Sequence, residues 1–155
     1  MTELSSVEIS ARRRVMALLS GAAVGELVEP LARLWPGHGA RDLKPVETGL
    51  VMLRGRAGGD GAPFNHGEAT VTRSVVELPG GERGYGHVLG RDAEWARSAA
   101  ILDALWLRRE SREAVEAHVL FPIAARIAAE RARSEAETAA TRVDFFTLVR
   151  GEEDA

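Results

Sequence analysis

Cysteine is absent from this chain. Disulfides, thiolate nucleophiles, zinc–cysteine sites and cysteine-ligated iron–sulfur clusters are therefore excluded together. Lysine is nearly absent: the only one is Lys44, directly before Pro45 and with no glycine loop ahead of it, a poor setting for a phosphate-loop or Schiff-base lysine. No stretch reaches the ~18 consecutive apolar residues of a membrane span. The opening MTELSSVEISARRRVMALLSG carries three arginines and no apolar signal-peptide core, so a cytoplasmic location without membrane attachment is expected. A surplus of positive charge is missing too. Twenty-three acidic against 20 basic side chains leave a net charge of -3, which disfavours a nucleic-acid partner.

What is present suits one globular domain over residues 1–155, 45% apolar and 28% charged. The centre, ETGLVMLRGRAGGDGAPFNHGEATVTRSVVELPGGERGYGHVLGRD, holds three runs rich in Val, Leu, Thr and Tyr, separated by GRAGGDGAP and PGGE. Such runs read as strands joined by hairpins. The links are too short for the crossover that a parallel pair needs. An antiparallel meander of three or more strands follows, at Val46–Arg56, Phe64–Leu78 and Arg83–Gly90 within residues 43–91. The fold class is α+β, with helices from both ends of the chain covering the sheet.

Residues 1–40 supply two helices. Ser6–Leu19 places Ile9, Val15, Met16 and Leu19 at offsets that can share a face, and Gly21 can end it. Val24–Trp35 has Leu27, Leu31 and Leu34 at helical spacing, with Pro30 inside, so a kink or a later start near Pro30 is expected. Residues 92–141 supply the others. Asp92 is a candidate N-cap for AEWARSAAILDALWLRRE, whose Trp95, Ala99, Leu102 and Trp106 make an apolar stripe. Ala96 and Ala100 are small enough to let that helix lie close to the sheet. A further helical region, Arg112–Thr141, is interrupted at Phe121-Pro122, and its alanine-rich second half adds little apolar bulk.

A two-residue hairpin loop at Gly80-Gly81 would pair Leu78 with Arg83, Val76 with Tyr85, Ser74 with His87 and Thr72 with Leu89. Gly84, Gly86 and Gly90 then bare a strip of backbone on one face, where one of the chain's own helices is expected to pack. Residues 142–155 break the pattern. Phe145, Phe146, Leu148 and Val149 in a terminal stretch imply a docking tail, toward this domain or toward a partner.

Candidate chemistry is sparse. His38, His66, His87 and His118 lack the i, i+4 spacing of paired metal ligands. His66 and Glu68, two apart on a strand, can face the same way. With His87 opposite Ser74, His66 and His87 lie ~26 Å apart at about 3.3 Å per residue and do not form one site. The glycines between Gly55 and Gly61 join strand to strand, unlike a phosphate loop, which opens a helix. Arg54, Arg56, Arg73, Arg83 and Arg91 suit a solvated strand face. No self-contained catalytic, cofactor or metal site is visible.

Three blocks, ETGLVMLRGRAGGDGAPFNHGEATVTRSVVEL, GYGHVLGRDAEWARSAAILDAL and TRVDFFTLVRG, resemble the PhnG subunit family of bacterial carbon–phosphorus lyase. They cover the middle and end of the chain, and RVDFFTLVRG is the most specific of them. The resemblance implies a transferase subunit in phosphonate catabolism, assembled with PhnH, PhnI and PhnJ, with ATPase-like PhnK and PhnL associated. It implies a role in displacing adenine from ATP by an alkylphosphonate, giving ribose 1-methylphosphonate 5-triphosphate. The nucleosidase-like chemistry is expected on PhnI, and carbon–phosphorus cleavage on the iron–sulfur subunit PhnJ, whose cluster a chain without cysteine cannot hold.

The leading expectation is a non-catalytic, structural and allosteric subunit. Its partner-interface candidates are Arg142, Asp144, Phe145, Phe146, Leu148 and Arg150 of the tail with Tyr85 and His87 of the sheet. The rival expectation is a composite active site at an interface, to which Glu47, His66, Glu68, Arg73 and Arg91, with Tyr85 and His87, would contribute. A third is a stand-alone small-ligand binding module.

Overall fold

A computed structural model describes residues 6–56 and 61–141. Helix α1 (Ser6–Ser20) and helix α2 (Val24–Leu34) lead into four strands, β1 (Arg41–Asp42), β2 (Glu47–Arg56), β3 (Pro63–Glu77) and β4 (Arg83–Leu89). Helix α3 (Ala93–Leu107), helix α4 (Arg109–Val115), a π-helical turn (Glu116–Leu120) and helix α5 (Phe121–Ala140) follow. The expected α+β class and antiparallel meander are what the chain adopts. The long β3 is central, with β2 and β1 along one edge and β4 along the other, every pairing antiparallel. The two-residue β1, opposite Glu77 and Val76, escaped the sequence reading because it is too short to show alternation.

The β3–β4 register differs from expectation by one residue. Glu77 faces Arg83, Val75 faces Tyr85, Arg73 faces His87 and Val71 faces Leu89. The loop is Pro79-Gly80-Gly81 rather than Gly80-Gly81: the Gly81 N–H bonds the Leu78 carbonyl at 2.8 Å, and the Leu78 N–H bonds the Glu82 carbonyl at 2.9 Å. This is the three-residue hairpin in which a turn is followed by a left-handed residue, here Gly81 at φ 88°. Proline presets the turn's first corner. Even-numbered β3 residues Thr72, Ser74 and Val76 therefore share the buried face with Val88, Gly86 and Gly84.

That buried face receives α3. Gly84 and Gly86 lie against its backbone, so a Cβ on Gly84 would stand 2.6 Å from the Ala104 nitrogen, and one on Gly86 would stand 2.9 Å from the Ala100 nitrogen. The expected packing of an own helix on this strip is what occurs, and Ala96 and Ala100 do allow the close approach. Gly90 is not part of the strip: its φ is 94° and a Cβ there would meet nothing within 4 Å. The Trp95–Trp106 stripe is only one side of α3, because every residue from Ser98 to Trp106 is buried. With the sheet on one side and α1, α2 and α4 on the others, α3 is the central helix of the core.

Asp92 caps α3 as expected, accepting from the Trp95 N–H at 2.8 Å. Helix α2 starts at Val24 and runs through Pro30 rather than beginning there. Burial of Leu27 and Leu31 and a Glu26 carboxylate accepting the Ala23 N–H at 2.7 Å offset the proline's lost bond. In α1, Val15 and Leu19 are buried while Ile9 stays 43% exposed, so Ile9 does not join the core face. The break expected at Phe121-Pro122 is the π turn, where the Phe121 N–H reaches the Glu116 carbonyl. Widening the helix there makes room for a proline ring that would clash with the preceding turn. Beyond Ile127, α5 is exposed on all sides.

Candidate functional site

An open strand edge invites foreign pairing, and this fold treats its two edges oppositely. The outer edge of β4 is closed by side chains. Arg12 donates to the Arg83 carbonyl at 2.8 Å, Ser20 donates to the His87 carbonyl at 2.6 Å, and the Tyr85 N–H donates to Asp103 at 2.9 Å. Asp103 is fully buried on α3 and takes Arg12 in two bonds, at 3.1 and 2.7 Å. One guanidinium thus ties α1 to both the strand edge and the core helix.

The other side is left open. Past the buried Thr72, whose hydroxyl bonds the Gly90 carbonyl at 2.7 Å and meets that of Thr48 at 3.1 Å, β2 and the first half of β3 continue as a two-stranded ribbon. No described element covers it. Leu50 is 60% exposed, Met52 57%, Phe64 45% and Leu53 44%. Leu50 and Met52 lie on the continuation of the helix-covered face, since they pair with Thr70 and Glu68. A bulge leaves His66 without a ladder partner between the Leu53–Gly67 and Arg54–Asn65 pairs. It brings the His66 ring edge-on to Phe64, centroids 5.8 Å apart. The bulge also corrects the expected His66–Glu68 pairing of faces: His66 sits beside Phe64 and Gly55, while Glu68 lies opposite Met52.

On the sheet face away from α3, the true register aligns Glu47, Arg73 and His87 in one row across three strands. Lys44 joins it through a 2.7 Å ion pair with Glu47. That hydrogen bond and the lysine's charge, with Arg73 behind them, hold the Glu47 carboxyl below its ordinary range. Burial, then the charges of Arg73 and Lys44, push His87 down, so it is a neutral imidazole at physiological pH. Tyr85 shares this face with the Arg12 guanidinium 5.4 Å from its ring centre.

Of the composite-site candidates, Glu47, Arg73, His87 and, farther along, Tyr85 come together. His66 and Glu68 are out on the ribbon, and Arg91 follows β4 as an exposed residue. His87 now lies opposite Arg73, seven residues from His66, which still leaves the two histidines ~23 Å apart at about 3.3 Å per residue. Sequence reading missed Lys44 as a member of the row, and Arg12 and Asp103 altogether. A three-residue β3–β4 loop would have revealed the Arg73–His87 pair, whereas Glu47 enters the row through the β2–β3 register. Arg142, Asp144, Phe145, Phe146, Leu148 and Arg150 lie outside the described residues. Among the described residues no cluster of three or more His, Asp or Glu suits a metal ion, and no single helix is long and apolar enough to cross a membrane.

The family model described as phosphonate metabolism protein PhnG matches residues 10–151. The chain is 49% identical over 145 residues, 94% of its own length and 92% of the relative's, to a Rhizobium meliloti (strain 1021) protein. That relative is named alpha-D-ribose 1-methylphosphonate 5-triphosphate synthase subunit PhnG.

Proposed function

The chain belongs to the PhnG family of phosphonate metabolism proteins, and from that premise we propose that it is a non-catalytic subunit of a cytoplasmic ribose 1-methylphosphonate 5-triphosphate synthase. In this reading it assembles with PhnH, PhnI and PhnJ chains, with PhnK and PhnL associated. It is needed for an alkylphosphonate to displace adenine from ATP, while bond-making side chains come from other subunits. The observation that supports it is the uncovered β2–β3 ribbon. A lone two-stranded ribbon is marginal in water, and its exposed edge and apolar side chains suit a surface covered by another chain. Leu50, Met52, Leu53 and Phe64 are each about half exposed, so covering one contributes roughly 1 kcal/mol. Leu50 and Met52 share one face and together amount to about 2 kcal/mol, on the order of thirtyfold in affinity, while Leu53 and Phe64 lie on the opposite face.

The test is co-purification of the tagged chain with its core partners, alongside turnover by the reconstituted complex. Leu50→Glu with Met52→Glu is expected to abolish capture while leaving the isolated chain's melting temperature within a few degrees of wild type. Truncation after Ala140 is expected to do the same if the phenylalanine tail also docks. The chain alone is expected neither to hydrolyse ATP nor to exchange its adenine. Capture unaffected by both changes, or turnover without PhnI, overturns the reading.

A second reading has its own support in the Glu47–Arg73–His87 row, where a carboxylate, a guanidinium and a neutral imidazole stand side by side across three strands. Arg73→Ala or His87→Ala in the complex separates the two. Lost rate with intact assembly favours the composite site, and lost assembly favours the scaffold.

A further inference from the structure

The β2–β3 ribbon has a second face, opposite to Leu50 and Met52. There Val51, Leu53 and Gly55 pair with Ala69, Gly67 and Phe64, and no Asp, Glu, Lys or Arg stands among them. In an antiparallel sheet with one solvated face, each strand alternates apolar with polar, whereas a strand covered on both faces reads as a continuous apolar run. The run Leu50-Val51-Met52-Leu53 is of the second kind. Yet Leu53 is 44% exposed and Phe64 45%, and no described element lies over them.

Gly49, Gly55 and Gly67 all fall on this second face. Glycine weakens a strand, and its uses there are a left-handed backbone, a bulge or a close approach by another element. None of the three has a positive φ, and the bulged residue is His66 rather than a glycine. A Cβ on Gly49 or Gly67 would meet nothing within 4 Å, and one on Gly55 would meet only the His66 Cβ at 3.9 Å. Elsewhere the same chain shows what bare strand backbone receives: Gly84 and Gly86 lie against the backbone of α3 at Ala96, Ala100 and Ala104.

The size of the face selects its occupant. Two strands about 4.8 Å apart make a ribbon roughly 10 Å wide, and Gly49 to Gly55 spans about 20 Å at about 3.3 Å per residue. One α-helix has that width, and about 13 of its residues have that length, whereas a second sheet would overhang. Charge selects further. Arg73 stands exposed at the end of the face nearest the body of the sheet. Lys44 is engaged by Glu47, and Arg41 and Arg83 by Glu77, while Arg73 makes no ion pair among the described residues.

We propose that this face seats a single helix of a partner subunit, running along the strands, with small uncharged side chains over the glycines and a carboxylate over Arg73. The ribbon is then covered on both sides. The proposal rests on the subunit reading and names the element that does the covering.

The test uses the complex reconstituted from the full chain with PhnH, PhnI and PhnJ. Gly49→Val and Gly67→Val are expected to leave the isolated chain's melting temperature unchanged or raised, because the space is empty and valine suits a strand. In competition with wild-type chain for assembly, each is expected to be weakened about ten- to a hundredfold, the usual scale of overpacking. Photo-cross-linking reads the occupant directly, with benzoylphenylalanine in place of Phe64 in one preparation and of Leu89 in another. Both side chains are exposed on this face, about 20 Å apart along the strands. Their cross-links are expected about 13 residues apart in one partner segment, with an Asp or Glu within a turn of the Leu89 position. Cross-links about six residues apart mark a strand and overturn the proposal, as do cross-links only to a second copy or to residues 142–155 of the same chain. Glycine variants that assemble as well as wild type overturn it and leave the subunit reading standing. A wild-type chain that no core partner captures overturns both.

Discussion

Replacing Gly86 with alanine asks how closely α3 lies on the sheet. The new Cβ would stand 2.9 Å from the Ala100 nitrogen and 3.0 Å from the Ala96 carbonyl carbon, and it would overlap the Ala96 carbonyl oxygen. Carbon contacts settle at about 3.5–4.0 Å, so the helix must withdraw by roughly 1 Å. A gap of that size forfeits roughly a quarter to a half of each contact's dispersion energy along the interface. Overpacking usually costs about 1–3 kcal/mol, and here the obstacle is helix backbone that no rotamer change can move, which argues for about 3. The stiffer unfolded chain returns about 0.4–1 kcal/mol. The net loss is then about 2–3 kcal/mol, a fall of about 1–1.5 M in urea midpoint at an m-value of about 2 kcal/mol/M.

Gly49→Ala is the control, since a Cβ there meets nothing within 4 Å, and it is expected to be neutral or to stabilise by up to about 1 kcal/mol. Gly84→Ala strikes Ala100 and Ala104 of the same helix. One retreat of α3 serves both positions, so the double variant is expected to lose at least about 1 kcal/mol less than the sum of the singles. A loss below about 1 kcal/mol for Gly86→Ala, or strict additivity in the double variant, would refute the close approach.

Arg12→Ala strips the buried Asp103 of its cation and is expected to destabilise by about 3–5 kcal/mol in urea unfolding, with little relief from added salt. Arg12→Ala with Asp103→Asn should recover part of that loss, because no unpaired charge is then buried. Glu26 is held below its ordinary value of 4.5 chiefly by the Arg126 hydrogen bond, and Glu82 likewise by Arg108, with burial opposing in both. Folding therefore favours the ionised carboxylates. Their stabilisation is fully present above about pH 5 and fades as pH falls through the lowered values, so thermal melts from pH 7 to 3 should drop in the acid limb. Glu26→Gln should flatten part of that drop. Exposed Glu130 pairs with Arg126 at the surface, and Glu130→Gln should leave the melt almost unchanged.

Much of this architecture was legible in local pattern. Alternating β-branched runs between glycine clusters gave three of the four strands, and Asp92 and Gly21 marked helix ends that the chain uses. The family blocks carried the connection to phosphonate metabolism. Such signals survive because turn chemistry, capping and periodicity act between residues a few positions apart.

The interface between elements was decided by packing across large sequence separations. Whether the hairpin turns through two residues or three is a small local difference, yet it sets which side chains meet. Only the three-residue form places Arg73 between Glu47 and His87 and sets the glycine strip against α3. Arg12 finds Asp103 across 91 positions with no pattern to announce it. The ribbon is the same case: Leu50 and Met52 alternate like core residues, and only the three-dimensional placement of the helices leaves them in water. Periodicity sets which face a side chain joins, while tertiary contact decides whether anything covers that face.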